Sequence, residues 1–284
     1  MRFIVTGSKG QLGYDVINEL NKRGYEVFGF DVEDMDITDY GCVYSKFSEI
    51  KPDAVIHCAA WTAVDLAESN EEACRRVNAF GTKNITECCK AFNSKLIYLS
   101  TDYVFNGEGE APWQVDDKRE PINVYGKTKC EGEEFVEAYE KSFIVRIAWV
   151  FGKNGKNFVK TVLKLAKNNN VLNFVNDQIG TPTYTYDLAR LLADMAESEK
   201  YGKYHATNEG GFISWYDFVI EILKQANIDG VTVNPVSSDE FVTPAKRPHN
   251  SRLDKSKLAE NGFAPLPDWR DALKRFLTDL GEIR

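Results

Sequence analysis

The chain has 284 residues, 43% hydrophobic and 27% charged, which is ordinary for a globular protein that buries a sizeable core. Its formal net charge of −8 argues against a basic surface for nucleic acid or an anionic membrane. No apolar run approaches the ~20 residues of a membrane span, and Met1 leads directly into an apolar strand, so we expect a cytoplasmic protein without a signal peptide.

The first predicted strand, Arg2–Thr6, runs directly into the glycine-rich sequence Gly7-Ser-Lys-Gly10-Gln-Leu-Gly13 and then into an apolar-patterned helix. A glycine turn between a buried strand and a helix N-terminus brings backbone N–H groups close to a pyrophosphate. The order of strand, glycines and helix therefore predicts a dinucleotide-binding unit. The G-x-x-G-x-x-G spacing alone is equally compatible with a simple tight turn.

A second predicted strand, Tyr25–Phe30, ends at Asp31. An acid at this place accepts from a ribose 2′-hydroxyl and repels a 2′-phosphate, so Asp31 mildly favours NADH over NADPH. Asp36 and Ile37 follow where an adenine would lie. Thr38 or Asp39 is then the expected N-cap of the next helix, because both side chains accept from backbone N–H groups.

The third predicted strand, Pro52–Ala60, runs out in small residues that leave space for a ribose and a nicotinamide. A long predicted helix, Glu72–Lys90, leads into a fourth strand at Lys95–Ser100. Strand and helix thus alternate through the first third of the chain. This alternation predicts an α/β fold with a Rossmann-type doubly wound parallel sheet.

The pattern of greatest chemical interest is Tyr125-x-x-x-Lys129, which follows Thr101 at the end of the fourth strand. Residues four apart share one helix face, so we expect the Lys129 ammonium beside the Tyr125 phenol. A nearby cation lowers a phenol pKa from ~10 toward neutral pH. Thr101 would hold a substrate oxygen against the phenol. Alone, the Tyr–Lys pair is also compatible with a chance arrangement on a helix surface.

The second half predicts a smaller domain that binds substrate. We expect residues 1–152 to form the dinucleotide-binding domain, the chain to return to it around 185–208, and residues 153–284 to be mainly substrate-binding. The predicted elements are a strand at Ser142–Val150, a strand at Lys203–Thr207, and helices at Phe158–Lys167, Tyr186–Ser198, Ser214–Gln225 and Asp268–Leu280.

These features occur in the order and spacing of the extended short-chain dehydrogenase/reductases. Five motifs more narrowly resemble the dTDP-4-dehydrorhamnose reductase family: Cys58–Ser69, Ser100–Phe105, Asn123–Lys129, Asp177–Pro182 and Arg247–Asp254. The resemblance covers the whole chain. Trp61 departs from it, because that family more often has His or Tyr there.

The resemblance implies a set of site residues. The cofactor contacts, which include the glycine loop, would be Gly7, Gly10, Gln11, Leu12, Asp31, Asp36, Ile37, Ala60, Trp61, Thr62, Leu99, Tyr125 and Lys129. The catalytic residues would be Thr101, Tyr125 and Lys129. The nucleotide sugar would contact Thr101, Asp102, Trp149 and Arg247.

The implied reaction is reduction of the 4-keto group of dTDP-4-dehydro-L-rhamnose to dTDP-L-rhamnose by NADPH or NADH. Some family members hold Mg²⁺ at a dimer contact, so the resemblance leaves a homodimer and Mg²⁺ open. The residues themselves predict no metal site: the six cysteines form no C-x-x-C pair and the three histidines are scattered.

Two alternatives stay open. A related nucleotide-sugar epimerase would share the fold, the cofactor and the Tyr125–Lys129 pair. A dehydratase is disfavoured, because those enzymes carry an Asp-Glu pair after the Thr, and here Tyr103 follows Asp102. A non-catalytic regulatory subunit of the same fold also keeps a Tyr-Gly-Lys-Thr-Lys run, so this run alone does not reject it.

Overall fold

The computed structural model describes residues 1–283. Its strands in chain order are β1 Arg2–Thr6, β2 Glu26–Phe30, β3 Ala54–His57, β4 Lys95–Thr101, β5 Ser142–Ile147, β6 Val150–Phe151, β7 Val171–Val175, β8 Ile179–Gly180, β9 Thr183–Tyr184, β10 Gly202–His205, β11 Asn208–Glu209, β12 Ile213–Ser214, β13 Thr232–Val236 and β14 Leu266–Asp268. Its α-helices are α1 Gln11–Lys22, α2 Tyr40–Ile50, α3 Val64–Ser69, α4 Glu71–Arg75, α5 Thr82–Phe92, α6 Val124–Glu137, α7 Phe158–Ala166, α8 Thr185–Glu197, α9 Trp215–Gln225, α10 Ser256–Glu260 and α11 Trp269–Asp279.

The main sheet has six strands in the order β10-β5-β4-β3-β1-β2, and every neighbouring pair is parallel. Along β1, Phe3 and Val5 pack with α1 and α8 on one face, whereas Ile4 packs with α2 and α5 on the other. This alternation is the period of two that a strand buried on both faces requires. The structure confirms the predicted doubly wound parallel sheet.

The strand order reverses between β1 and β3, which are neighbours in the sheet although β2 lies between them in the chain. In open parallel sheets such a reversal opens a crevice at the carboxyl ends of the two strands. The glycine-rich loop follows β1 directly at this edge. The fold therefore positions a ligand site where the sequence predicts the dinucleotide.

A second core lies among α7, α9 and α11, and it is rich in aromatic residues. Phe151, Phe218, Trp269 and Phe276 are all buried there. Phe151 stacks on Tyr184, with ring centroids 5.2 Å apart. The predicted helices at Phe158, Ser214 and Asp268 are confirmed, and Asp268 caps α11 by accepting from the Arg270 N–H.

Edge strand β10 pairs with β5 in the main sheet, and α8 packs against α1. The chain thus comes back to the first core after it has built much of the second. The exact domain boundaries stay a prediction.

Three predicted elements differ from the structure. The helix predicted over Glu72–Lys90 is interrupted by a π-helical segment, Arg76–Gly81, between α4 and α5. The strand predicted over Pro52–Ala60 is limited to Ala54–His57, because its small residues turn toward the cavity. The strand predicted over Ser142–Val150 breaks after Ile147, since Trp149 adopts a positive φ that no strand accommodates.

No helix within residues 1–283 is long and apolar enough to cross a membrane.

Candidate active site

One cavity of about 680 Å³ opens at the carboxyl ends of the central strands. It brings together most of the predicted site residues, namely Gly7, Gly10, Gln11, Leu12, Asp31, Asp36, Ile37, Ala60, Thr62, Leu99, Thr101, Asp102, Tyr125, Lys129 and Trp149. Of the predicted set, Trp61 and Arg247 do not line it. The residues predicted to bind the cofactor (the cofactor end) and those predicted to be catalytic (the catalytic end) thus line one continuous space.

The cofactor end is a cradle made of backbone. Gly7 has φ +65°, and a Cβ there would lie 2.8 Å from the Ala59 nitrogen at the end of β3. A Cβ on Gly13 would lie 2.2 Å from the Gly7 carbonyl oxygen. Helix α1 begins at Gln11 with no side-chain cap and no acid in its first turn. These features fit a pyrophosphate held by free N–H groups of the helix N-terminus.

Asp31 lines the same end of the cavity, just after β2. Its Oδ1 accepts from the Val32 N–H at 2.9 Å, and its Oδ2 accepts from the Lys9 N–H at 3.2 Å. The Lys9 ammonium pairs with Glu33 at 2.6 Å on the exposed surface. The Asp31 carboxyl and the exposed Lys9–Glu33 ion pair therefore lie side by side where the adenosine ribose is expected.

Lys129 is almost fully buried, at 2% exposure. Its ammonium donates to the Leu99 carbonyl at 2.7 Å and lies over the Tyr98 ring at 4.1 Å. Burial lowers the pKa of Lys129 to about 7, and the Glu133 carboxylate opposes this shift. The ammonium is thus directed at the end of β4, on which Thr101 also lies.

Tyr125 differs from the expectation of a lowered pKa. Burial raises the pKa of its phenol above the usual value, and the adjacent Thr101 hydroxyl only partly opposes the rise. The Asp102 carboxyl adds to the rise, and the Lys129 ammonium instead donates to the Leu99 carbonyl. The phenol therefore keeps its proton at neutral pH, which is the form a proton donor needs.

Asp102 is a buried carboxyl beside Thr101 and Tyr125. Its Oδ1 accepts from the Thr101 hydroxyl at 3.0 Å, whereas its Oδ2 has no hydrogen-bond partner among residues 1–283. Burial raises the pKa of Asp102 to about 6. A buried carboxyl oxygen without a partner is costly, and the nearby Ser251 hydroxyl partly opposes the rise in the pKa of Asp102.

Sequence reasoning missed Asn78, which joins three elements of the site. It lies in the π-helical segment and is 1% exposed. Its Oδ1 accepts from the Trp61 N–H at 2.8 Å, and its Nδ2 donates to the Thr128 hydroxyl at 3.1 Å. Asn78 therefore ties the loop after β3 to helix α6. The only signal in the sequence was an asparagine inside a helical run, which carries no such information.

Trp149 also lines the cavity, in a strained conformation with φ 51°. Its indole stacks on Trp215, with centroids 3.7 Å apart and planes 13° apart. A Cβ on Gly180 would lie 2.9 Å from the Trp149 ring. Trp215 was not predicted, because it comes from α9, a distant helix.

Arg247 does not line the cavity, although it lies near Tyr103, which does. Its guanidinium donates to Asp65 in α3 at 2.8 Å. Asp65 also accepts from the Ala245 N–H at 3.3 Å. This contact fastens the loop before α10 to the first half of the chain. A role for Arg247 on the substrate diphosphate stays a prediction.

Within residues 1–283, no group of three or more His, Cys, Asp or Glu side chains is arranged to hold a metal ion. All six cysteines are free.

Comparisons with known proteins are consistent with this site. Residues 1–282 match the family model described as the RmlD substrate binding domain. The chain is 41% identical to a dTDP-4-dehydrorhamnose reductase of Aggregatibacter actinomycetemcomitans, over 96% of this chain and 97% of the relative.

Two crystal structures are similar along nearly the whole chain. A dTDP-4-dehydrorhamnose reductase of Clostridium acetobutylicum is 41% identical, with a TM-score of 0.96 over 99% of this chain and 100% of that one. The enzyme of Bacillus anthracis, solved in complex with NADP, is 40% identical, with a TM-score of 0.95 over 98% of this chain and 99% of that one.

Proposed function

This chain belongs to the dTDP-4-dehydrorhamnose reductase family, and from that premise we propose that it reduces dTDP-4-dehydro-L-rhamnose to dTDP-L-rhamnose with NADPH or NADH. The observation that carries the proposal is the single cavity that joins the glycine cradle to Thr101, Tyr125 and Lys129. A nicotinamide cofactor supplies the hydride for such a reduction.

The residues of the chain supply the proton and the positioning. Tyr125 donates its proton to the oxygen of the 4-keto group as that oxygen gains negative charge. Because burial raises the pKa of Tyr125, the phenol is protonated across the neutral range. The Thr101 hydroxyl lies beside the phenol and holds the same oxygen. These two groups stabilise the forming alkoxide.

Lys129 is proposed to hold the hydroxyls of the nicotinamide ribose. Its buried ammonium already donates to the Leu99 carbonyl beside the catalytic groups. Burial lowers the pKa of Lys129, and an anionic ligand in the cavity would favour its protonated form.

On the sugar side, the free Oδ2 of Asp102 supports a hydrogen bond from a sugar hydroxyl. The Trp149 indole supports packing against a sugar face, because an aromatic ring offers a flat apolar surface to C–H groups. Together these residues would select a sugar over a larger or fully apolar ligand.

We propose that both cofactors are accepted and that NADH is mildly preferred. Asp31 repels a 2′-phosphate, whereas the Lys9 ammonium can leave its exposed partner Glu33 to neutralise one. Replacing Asp31 with Ala should raise the ratio of kcat/KM for NADPH to kcat/KM for NADH about tenfold, which corresponds to ~1.4 kcal/mol. An unchanged ratio would assign the preference elsewhere.

A Mg²⁺ ion and a homodimer are proposals from the family resemblance alone. Mg²⁺ would have to lie between two copies of the chain. Reductase activity that survives exhaustive chelation would remove the proposed Mg²⁺ requirement, and a monomer in sedimentation would remove the dimer.

The function is tested by incubating the purified protein with dTDP-4-dehydro-L-rhamnose and either cofactor. We expect nicotinamide absorbance to fall in step with the formation of dTDP-L-rhamnose, identified by chromatography and NMR. A sugar product without cofactor consumption would identify an epimerase. Cofactor binding without any turnover would support the regulatory-subunit alternative.

A further inference from the structure

The loop between β6 and α7, residues 152–157, lies against the glycine-rich loop of the cofactor cradle. The Asn154 side chain donates to the Lys9 carbonyl at 2.7 Å, and Asn157 donates to the Gln11 side chain at 3.1 Å. A Cβ on Gly155 would lie 3.3 Å from the Gln11 side chain. The loop therefore covers the start of α1.

Helix α7 holds this loop in its place. Asn157 caps the helix by accepting from the Lys160 N–H, and it also donates to the Gly152 carbonyl at 2.8 Å. The Lys160 ammonium donates to the carbonyls of Lys153 and Gly155, at 2.6 and 2.9 Å. These contacts fix the backbone on both sides of Lys156.

The charge balance of the cavity singles out Lys156. Among the described residues that line it, Lys129 and Lys156 are the only ones with cationic side chains, against the carboxyls of Asp31, Asp36 and Asp102. The Lys129 ammonium already donates to the Leu99 carbonyl at the catalytic end of the cavity. Lys156 makes no ion pair with any residue from 1 to 283. A dinucleotide brings two negative charges into this cavity, and the backbone cradle supplies only partial positive charge.

We propose that Lys156 is a cofactor-binding residue whose ammonium pairs with the pyrophosphate of the dinucleotide at the N-terminus of α1. The inference rests on the proposed function, because it needs a dinucleotide in the cradle. It assigns part of the cofactor's binding to the second half of the chain. Cofactor binding would therefore add to the contacts that already join the loop at 152–157 to the first half.

The test is calorimetric binding of four ligands to the wild type, Lys156→Ala, Lys156→Arg and Lys153→Ala. The ligands are NADH, ADP-ribose, adenosine and dTDP. Lys153 is the matched control, because it is an exposed lysine of the same loop that does not line the cavity. Binding of NADH by the wild type is measured first. Absence of this binding would count against the proposed function, separately from any effect of Lys156.

We expect Lys156→Ala to weaken NADH and ADP-ribose about 5- to 10-fold, which is typical of losing one partly exposed charge-assisted contact. Adenosine and dTDP should bind as in the wild type, and both Lys156→Arg and Lys153→Ala should stay within about twofold. The loss in Lys156→Ala should shrink at high salt, because ions screen an exposed pair.

Unchanged affinity of Lys156→Ala for ADP-ribose would overturn the proposal. Weaker binding of dTDP with normal binding of ADP-ribose would also overturn it, because the cation would then belong to the substrate diphosphate. An equal loss for adenosine would overturn it as well, since this would mark a structural change of the loop.

Discussion

The two ends of the cavity are built in different ways. The cofactor end is made of backbone: three glycines and the start of α1 lie within a few residues of β1. The proposed sugar end is made of side chains from distant parts of the chain. There Trp149 stacks on Trp215, and Gly180 lies close to the Trp149 ring. A site made of backbone is encoded by local spacing, whereas a site made of stacked side chains depends on the finished fold.

Of the substitutions considered, replacement of Tyr125 should lower activity the most. Replacing Tyr125 with Phe removes the proton donor and should lower kcat by ~10² to 10⁴. The affinity for NADH should stay close to that of the wild type, because the cradle is untouched. Stopped-flow reduction and calorimetry measure the two quantities.

The matched control is Tyr139→Phe, which removes a buried phenol hydroxyl that donates to the Ser94 carbonyl at 2.8 Å outside the cavity. It should retain the kcat of the wild type. If Tyr125→Phe also retained most of its kcat, Tyr125 would not be the acid.

The second effect tests the cofactor end. Replacing Gly13 with Ala puts a Cβ 2.2 Å from the Gly7 carbonyl oxygen, so the backbone of the cradle must shift. We expect NADH affinity to fall by about 10- to 100-fold, because losing a hydrogen bond to a charged group costs about 1.5–3 kcal/mol. Normal NADH affinity in this variant would show that the cradle tolerates movement.

The third effect tests the sugar end with the same chemical change. Replacing Gly180 with Ala puts a Cβ 2.9 Å from the Trp149 ring and should displace the indole. We expect KM for the keto sugar to rise about tenfold. NADH affinity should not change, and near-ultraviolet circular dichroism should report an altered Trp149–Trp215 stack. An unchanged KM would exclude Trp149 from the sugar site.

The smallest effect concerns stability and pH. Burial raises the pKa of Asp102 to about 6, whereas the reference value for an unfolded chain is 3.8. Between these two pH values the folded protein keeps the proton that the unfolded chain has lost. Stability therefore falls as pH rises from about 4 to 6, and the cost persists above that interval. Asp102→Asn should raise the free energy of unfolding by about 1–3 kcal/mol near pH 7.

Urea unfolding of both proteins at several pH values measures this difference. The advantage of Asp102→Asn should disappear below about pH 3, where the carboxyl is protonated in both states. A difference that does not vary with pH would mean that the charge of Asp102 is not its source. Catalysis by the variant should fall, since the amide cannot replace both carboxylate acceptors.

The features that could be predicted from sequence are those with local causes. Asp39 caps α2 by accepting from Gly41 and Cys42, two and three residues away, and Ser214 caps α9 with Asp217 in a capping box. The parallel sheet follows from alternating apolar strands and amphipathic helices. Each of these patterns is complete within one short stretch of chain.

The features that could not be predicted depend on partners far along the chain. The π-helical segment at Arg76–Gly81 presents Asn78 to the backbone of Trp61 and to Thr128. The position of the Lys129 ammonium depends on the Leu99 carbonyl at the end of β4. Helix spacing correctly put Tyr125 and Lys129 on one face, but burial rather than their pairing determines the pKa of the phenol.

The proposed reaction transfers one hydride to the carbonyl carbon of the sugar. The most direct measurement uses cofactor deuterated at the transferred position of nicotinamide C4 and locates the label in the product by NMR and mass spectrometry. We predict one deuterium at C4 of the rhamnose ring, with one cofactor oxidised for each sugar formed. A product without deuterium, or label at another carbon, would contradict the account.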